Sequence, residues 1–98
     1  NKEGTFMKKI DLHIHTHYSD GIFSPIEILE MANKNNYDFI AITDHDTVEG
    51  YDYAIQFINN FNVQLIPGVE ISSYYLNKDV HILAYNFDPK DKELDILL

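Results

Sequence analysis

The 98-residue sequence has no cysteine and no tryptophan, only three prolines, and no arginine among its seven basic residues. Without cysteine there are no disulfides and no thiolate metal or redox sites, and the expected address is cytoplasmic. Without arginine there is no bidentate guanidinium clamp of the kind that commonly recognises phosphate. Cationic surface is scarce as well: sixteen acidic residues outweigh seven lysines and give a formal net charge of −9. Such a surface repels phosphate backbones, so no basic nucleic-acid-binding surface is expected. An anionic substrate then has to be held by bound cations. No apolar run approaches the roughly 18 residues of a membrane span, and residues 1–6 lack the apolar segment of a secretory signal. No membrane partner is expected.

What is present is the composition of one small globular domain, 45% hydrophobic and 23% charged in 11.4 kDa. Residues 1–6 precede Met7, which reads as a natural start, and are expected to be leader or added residues. Residues 10–14 are apolar with alternating polar positions and read as a strand. Ser24-Pro25-Ile26-Glu27 supplies three helix-start signals, a capping serine, a proline at the first helical position and the glutamate of a capping box. Ile26, Leu29 and Ala32, flanked by Ile28 and Met31, form the buried face of that helix up to Asn35-Asn36. Residues 39–43 form a nearly apolar second strand, as expected for one covered on both faces. Val48, Tyr51, Ala54, Ile55, Ile58 and Phe61 recur at helical spacing and predict a second helix ending among the asparagines at 59–62.

A third strand is expected over 63–66, broken by Pro67-Gly68, followed by strands 69–76 and 80–87 joined through Asn77-Lys78 as a hairpin. Residues 90–98 read as the beginning of another helix. The order β-α-β-α-β plus a hairpin makes this an α/β fold, with parallel strands, right-handed crossovers and helices outside. In such sheets ligands sit at the carboxyl ends of the strands.

The chemistry-bearing residues concentrate there. His13 and His15, two apart at the end of the first strand, leave on one face. Alone, that pair reads equally as surface or core histidines, and Ser19-Asp20-Gly21 alone reads as a turn. The second strand ends in Thr43-Asp44-His45-Asp46, the third in Pro67-Gly68-Val69-Glu70, and His81 stands among apolar residues of the hairpin. Each of these has a bland reading as solvated charge or a hydrogen-bonded core group. Together they put imidazole or carboxylate at the end of every βα strand, and four of the five histidines fall at these places. Imidazole and carboxylate without sulfur suit Zn, Mn or Fe rather than Ca.

Asp11-Leu12-His13-Ile14-His15-Thr16, running to Ser19-Asp20-Gly21, resembles the first motif of the PHP family, the polymerase and histidinol phosphatase domains. Ile42-Thr43-Asp44-His45-Asp46 resembles the second motif, Gly68-Val69-Glu70-Ile71-Ser72 the third and His81-Ile82-Leu83-Ala84-Tyr85 the fourth. With Thr47-Val48-Glu49-Gly50 and Asn86-Phe87-Asp88, the run is most similar to the branch of metal-dependent phosphoesterases acting on small nucleotides. The resemblance implies a distorted (β/α)7 barrel of PHP type with up to three divalent metal ions. It implies His13, His15, Asp20, His45, Glu70 and His81 as metal ligands, through which these residues are catalytic, with Glu70 bridging two ions. Asp11 and Asp44 are implied as outer groups that orient imidazoles, and His17 occupies a variable, peripheral position.

Family members supply a further histidine and an Asp-x-His pair from later strands, which do not occur before Leu98. The expectation is therefore that residues 7–98 are the N-terminal part of a PHP domain, truncated within the barrel. The expected function is hydrolysis of a small phosphomonoester, a nucleotide, by hydroxide formed from water on clustered cations that also neutralise the phosphate. The alternatives are a histidinol-phosphate phosphatase, a non-catalytic PHP module and an inactive fragment binding one or two metals.

Overall fold

A computed structural model describes residues 7–88. The chain forms β1 (Ile10–Ile14), α1 (Pro25–Lys34), β2 (Phe39–Ile42), α2 (Glu49–Ile55), a 3-10 turn (Ile58–Asn60), β3 (Gln64–Tyr75) and β4 (Lys78–Tyr85). The strands make one sheet in the order β1-β2-β3-β4. β1 with β2 and β2 with β3 are parallel, while β3 and β4 form an antiparallel hairpin. This is an α/β fold with a curled four-strand sheet, the architecture of part of a barrel. The further helix expected at 90–98 lies outside the described residues.

The α1 start follows the sequence signals: Ser24 Oγ accepts the Glu27 N–H and the Glu27 carboxylate accepts the Ser24 N–H, with Pro25 at the first helical position. Ile28, Leu29 and Ala32 then pack with Ile40 and Ile42 of β2, Ala54 of α2 and Val63 to form the core. β2 is covered on both faces, as expected: Ile40, Ala41 and Ile42 are all buried.

Three expectations are corrected. α2 does not run to the asparagines at 59–62; it ends at Ile55 and is followed by the 3-10 turn. Phe57, Asn59 and Asn60 are poor helix formers, yet Ile58 and Phe61 still reach the core, so the apolar spacing survives the change of helix type. Pro67-Gly68 does not break β3. Residues 64–67 pair with β2 and residues 68–75 pair with β4, so Pro67 sits at the changeover and its carbonyl still accepts the Asn86 N–H at 2.8 Å. The hairpin turn is Leu76-Asn77 rather than Asn77-Lys78, because Tyr75 pairs with Lys78 and both turn residues have positive φ, 50° and 62°. Positive φ at both central positions is the signature of the two-residue turn whose twist matches the strands.

Candidate metal centre

The site is built on the carboxyl ends of β1 and β2 and the changeover point of β3. Glu70 lies within β3, level with the end of β2, because its N–H bonds the Asp44 carbonyl and its carbonyl accepts the Asp46 N–H. That pairing puts His45 beside Glu70 in a bridge outside the main ladder. The Glu70 side chain is buried and points into the concave side of the sheet, where imidazoles surround it. His13 Nε2 lies 2.8 Å and His15 Nε2 2.7 Å from Glu70 Oε1, and His81 Nδ1 lies 3.0 Å from Oε2. His45 Nε2 stands 3.9 Å from Oε1. The four rings follow one another in an arc, with centroids 5.1, 4.5 and 5.0 Å apart from His13 through His15 and His45 to His81.

The loop after β1 brings in Asp20. Ser19 and Gly21 both donate their N–H groups to the Thr16 carbonyl, folding the chain back on itself. Gly21 is needed there, since a Cβ would fall 2.1 Å from the His15 carbonyl oxygen. Asp20 Oδ1 then lies 2.5 Å from His15 Nδ1 and Oδ2 lies 3.2 Å from His45 Nε2.

Electrostatics match this crowding. Burial by itself would raise the Glu70 pKa, but hydrogen bonds with His13 and His15 and the nearness of His45 bring it down to about 2. Desolvation likewise opposes ionisation of Asp20, and His15 and His45 outweigh it, holding the carboxyl below its usual value. Glu70 is thus a carboxylate at neutral pH with each oxygen facing a different set of nitrogens.

All six residues expected as ligands are brought together. Their donor atoms fall into three overlapping groups, His13–His15–Glu70, His15–Asp20–His45 and His45–Glu70–His81, with the atoms of each group within 4.8 Å of one another. Two atoms each about 2.1 Å from a tetrahedral ion lie about 3.4 Å apart, which the separations of 2.5–3.9 Å bracket. Nitrogen and oxygen donors without sulfur are the set that first-row divalent cations take. The residues fit the metals that the motifs imply.

Asp11 and Asp44 come close to the site but act differently from the expectation that they orient imidazoles. Asp44 is buried and accepts the Thr16 N–H at 2.6 Å, the Thr16 hydroxyl at 2.6 Å and the Ser19 hydroxyl at 2.8 Å. Its carboxylate fastens the Asp20 loop to the end of β2. Asp11 Oδ1 accepts the backbone N–H of His13 at 3.2 Å. Among the described residues neither carboxylate bonds an imidazole. His17 is exposed, lies with its ring 4.9 Å from that of Tyr18, and joins none of the three groups.

Sequence reasoning missed Thr16, Ser19 and Gly50, the partners and neighbour of Asp44; a threonine directly after the His-x-His pair was the available signal. It also missed Tyr85, whose hydroxyl donates to the Leu12 carbonyl at 2.6 Å. Burial, with Glu70 and Asp11 nearby, raises the Tyr85 pKa, so the phenol stays a donor at neutral pH. A cavity of about 440 Å³ lies between β1 and α1, lined by His13 and His15 together with Phe23, Ile28, Met31 and Tyr37, and takes in none of Asp20, His45, Glu70 and His81.

The chain is similar to several proteins named as phosphoesterases or nucleases. A 5'-3' exoribonuclease of Haemophilus influenzae is 38% identical over 91 residues, 93% of this chain and 33% of that protein. A 3',5'-nucleoside bisphosphate phosphatase of Chromobacterium violaceum is 33% identical over 88 residues, 90% of this chain and 31% of that protein. A solved structure from Bifidobacterium adolescentis, described as a proposed metal-dependent phosphoesterase, superposes with a TM-score of 0.82 at 34% identity, covering 91% of this chain and 31% of that one. The chain therefore spans about a third of the length of the curated relatives it matches. The family model of the PHP domain matches residues 11–94, and the chain belongs to the PHP domain family.

Proposed function

We propose that this chain carries the metal-holding part of a phosphoesterase active site, in a complete (β/α)7 barrel, and that its substrate is a small phosphomonoester, a nucleotide. The observation that supports this best is the buried Glu70 carboxylate, which turns Oε1 towards His13 and His15 and Oε2 towards His81. His13, His15 and Glu70 would hold one cation, Asp20 and His45 a second, and Glu70 with His81 a third, with Mn, Zn and Fe the suitable ions.

Divalent cations held there supply Lewis acidity, lowering the pKa of water and offsetting phosphate charge. The protein's share is arrangement. Glu70, ionised down to about pH 2, keeps a fixed negative charge at the centre of the imidazole arc. Asp20, more exposed, faces the open side and orients His15 and His45 through its two oxygens.

The size of the substrate is the point on which the relatives differ, since one is named for a nucleoside bisphosphate and another for RNA. A net charge of −9 with no arginine favours the small substrate, because a long polyanion gains little from such a surface. The test combines metal analysis of the purified chain with phosphate release from a 3',5'-nucleoside bisphosphate, histidinol phosphate and a 5'-phosphorylated oligoribonucleotide. Metal together with turnover of the nucleotide supports the proposal. Turnover of histidinol phosphate alone, or of the oligonucleotide alone, replaces the substrate. Metal without turnover upholds the metal-holding part and refutes hydrolysis by this chain alone, and absence of both makes it a non-catalytic module.

A further inference from the structure

β1 does not pair evenly with β2. Asp11 is opposite Ile40 and Ile14 is opposite Ile42, so three residue steps on β1 face two on β2. The extra residue makes a bulge between Asp11 and Ile14, at the start of the His-x-His motif. Bulges leave backbone groups outside the ladder and re-aim the side chains that follow them. Here two such groups are taken by side chains: the Leu12 carbonyl accepts the Tyr85 hydroxyl at 2.6 Å, and the His13 N–H is accepted by Asp11 Oδ1 at 3.2 Å.

The Tyr85 contact joins the two outer strands of the sheet. Tyr85 is the last residue of β4, and β4 lies at the opposite edge of the sheet from β1. The ring therefore reaches across the concave side to close the curl. Its partner across the ladder is Gly68, so no β3 side chain at that level stands in its way. Tyr85 and His81 lie four residues apart on β4, hence on one face, and the same strand thereby presents His81 to Glu70 and a hydroxyl to the base of the His13 strand.

We propose that Tyr85 is a positioning residue whose hydroxyl pins the β1 bulge and so sets where the His13 imidazole stands relative to Glu70 and His81. Asp11 completes the pin from the β1 side. This rests on the metal reading only for its consequence in binding; the pin itself is made by protein groups alone. Without the hydroxyl, the Leu12 carbonyl loses its partner and the bulge is free to turn, moving the His13 ring and leaving the more firmly paired part of β1 in place.

The test uses the full chain and Tyr85→Phe, with Tyr74→Phe, an exposed tyrosine on the same hairpin, as control. In the metal-free wild type, the Tyr85 hydroxyl proton gives a slowly exchanging NMR resonance with cross-peaks to Leu12 and His13; its absence overturns the proposal whether or not any variant folds. In Tyr85→Phe the His13 ring resonances shift and the His13 amide exchanges faster, while the amides of α1 keep wild-type protection. Titration with Co²⁺ or Mn²⁺ weakens by roughly tenfold to a hundredfold, as for other groups that hold a ligand in place, and the Co²⁺ visible spectrum changes; Tyr74→Phe alters none of these. Unmoved His13 resonances in Tyr85→Phe refute the pin. Should the wild type bind no metal, the metal reading fails on its own and the metal-free resonances still decide the role of Tyr85.

Discussion

Replacing Asp44 by asparagine removes a charge from the most completely enclosed carboxylate of the site while keeping its shape. Asp44 is 1% exposed and takes three hydrogen bonds, two of them, from the Thr16 N–H and the Ser19 hydroxyl, on Oδ1. A carboxamide oxygen in the Oδ1 position keeps both, but as neutral bonds, which are about half as strong as charge-assisted ones. The amide nitrogen then faces Thr16 Oγ1, which already accepts the Tyr18 N–H at 3.1 Å. The threonine oxygen accepts the new donor with its other lone pair, and its own proton loses its buried partner. Two weakened bonds and one orphaned hydroxyl sum to about 2–3 kcal/mol of destabilisation. Asp44→Ala orphans all three donors and costs more, about 4 kcal/mol. Urea unfolding of the metal-free chain measures both, with a chelator present so that metal linkage does not enter. A loss below about 0.5 kcal/mol for Asp44→Asn, or an alanine variant more stable than the asparagine one, would refute the hub role assigned to this carboxylate.

Gly50 borders the same group: a Cβ there would lie 2.3 Å from Asp44 Oδ2 and 2.9 Å from Thr16 Oγ1. Gly50→Ala therefore lowers the melting temperature, although alanine is favoured over glycine in a helix by about 1 kcal/mol. Leu76 holds a left-handed conformation at φ 50° on an exposed turn, so Leu76→Gly raises stability by about 1 kcal/mol, read as an upward shift in the urea midpoint. Glu70 titrates at about 2 in the folded chain against an ordinary 4.5. Its ionised form thus contributes stability that is fully present above about pH 4.5 and lost as pH falls towards 2. In metal-free chain the stability difference between wild type and Glu70→Gln shrinks across that window, and a difference constant with pH contradicts the assignment. Zn²⁺ or Mn²⁺ at a hundred times its dissociation constant stabilises the wild type by about 2.7 kcal/mol; calorimetry of His45→Ala shows a smaller gain, and chelator abolishes it in both.

Much of the fold was legible because local rules and packing agreed. The Ser24–Glu27 capping box, the apolar face of α1 and the covered strand β2 each follow from a short stretch of sequence. Where the reading slipped, a longer-range partner decided. By local rules Pro67 breaks a strand, but pairing with β2 on one side and β4 on the other keeps β3 continuous through it. The turn moved by one residue because the ladder register between β3 and β4, rather than local preference, placed Leu76 at positive φ. The six candidate ligands were visible as residue types at strand ends, whereas the partners of Asp44 and the reach of Tyr85 were not.

By itself, the sequence determined which chemistry is available: imidazole and carboxylate without thiol or guanidinium, carried at the ends of strands whose period turns alternate side chains to one face. Tertiary structure alone decided how those groups divide their work. Glu70 bridges nitrogens from residues more than fifty positions away on one side and eleven on the other, Asp44 serves the loop rather than an imidazole, and Tyr85 crosses the concave sheet to β1. The reason is that hydrogen-bond partners and donor distances are set by strand order, register and curl, and these arise from pairing between segments that no local stretch of sequence contains.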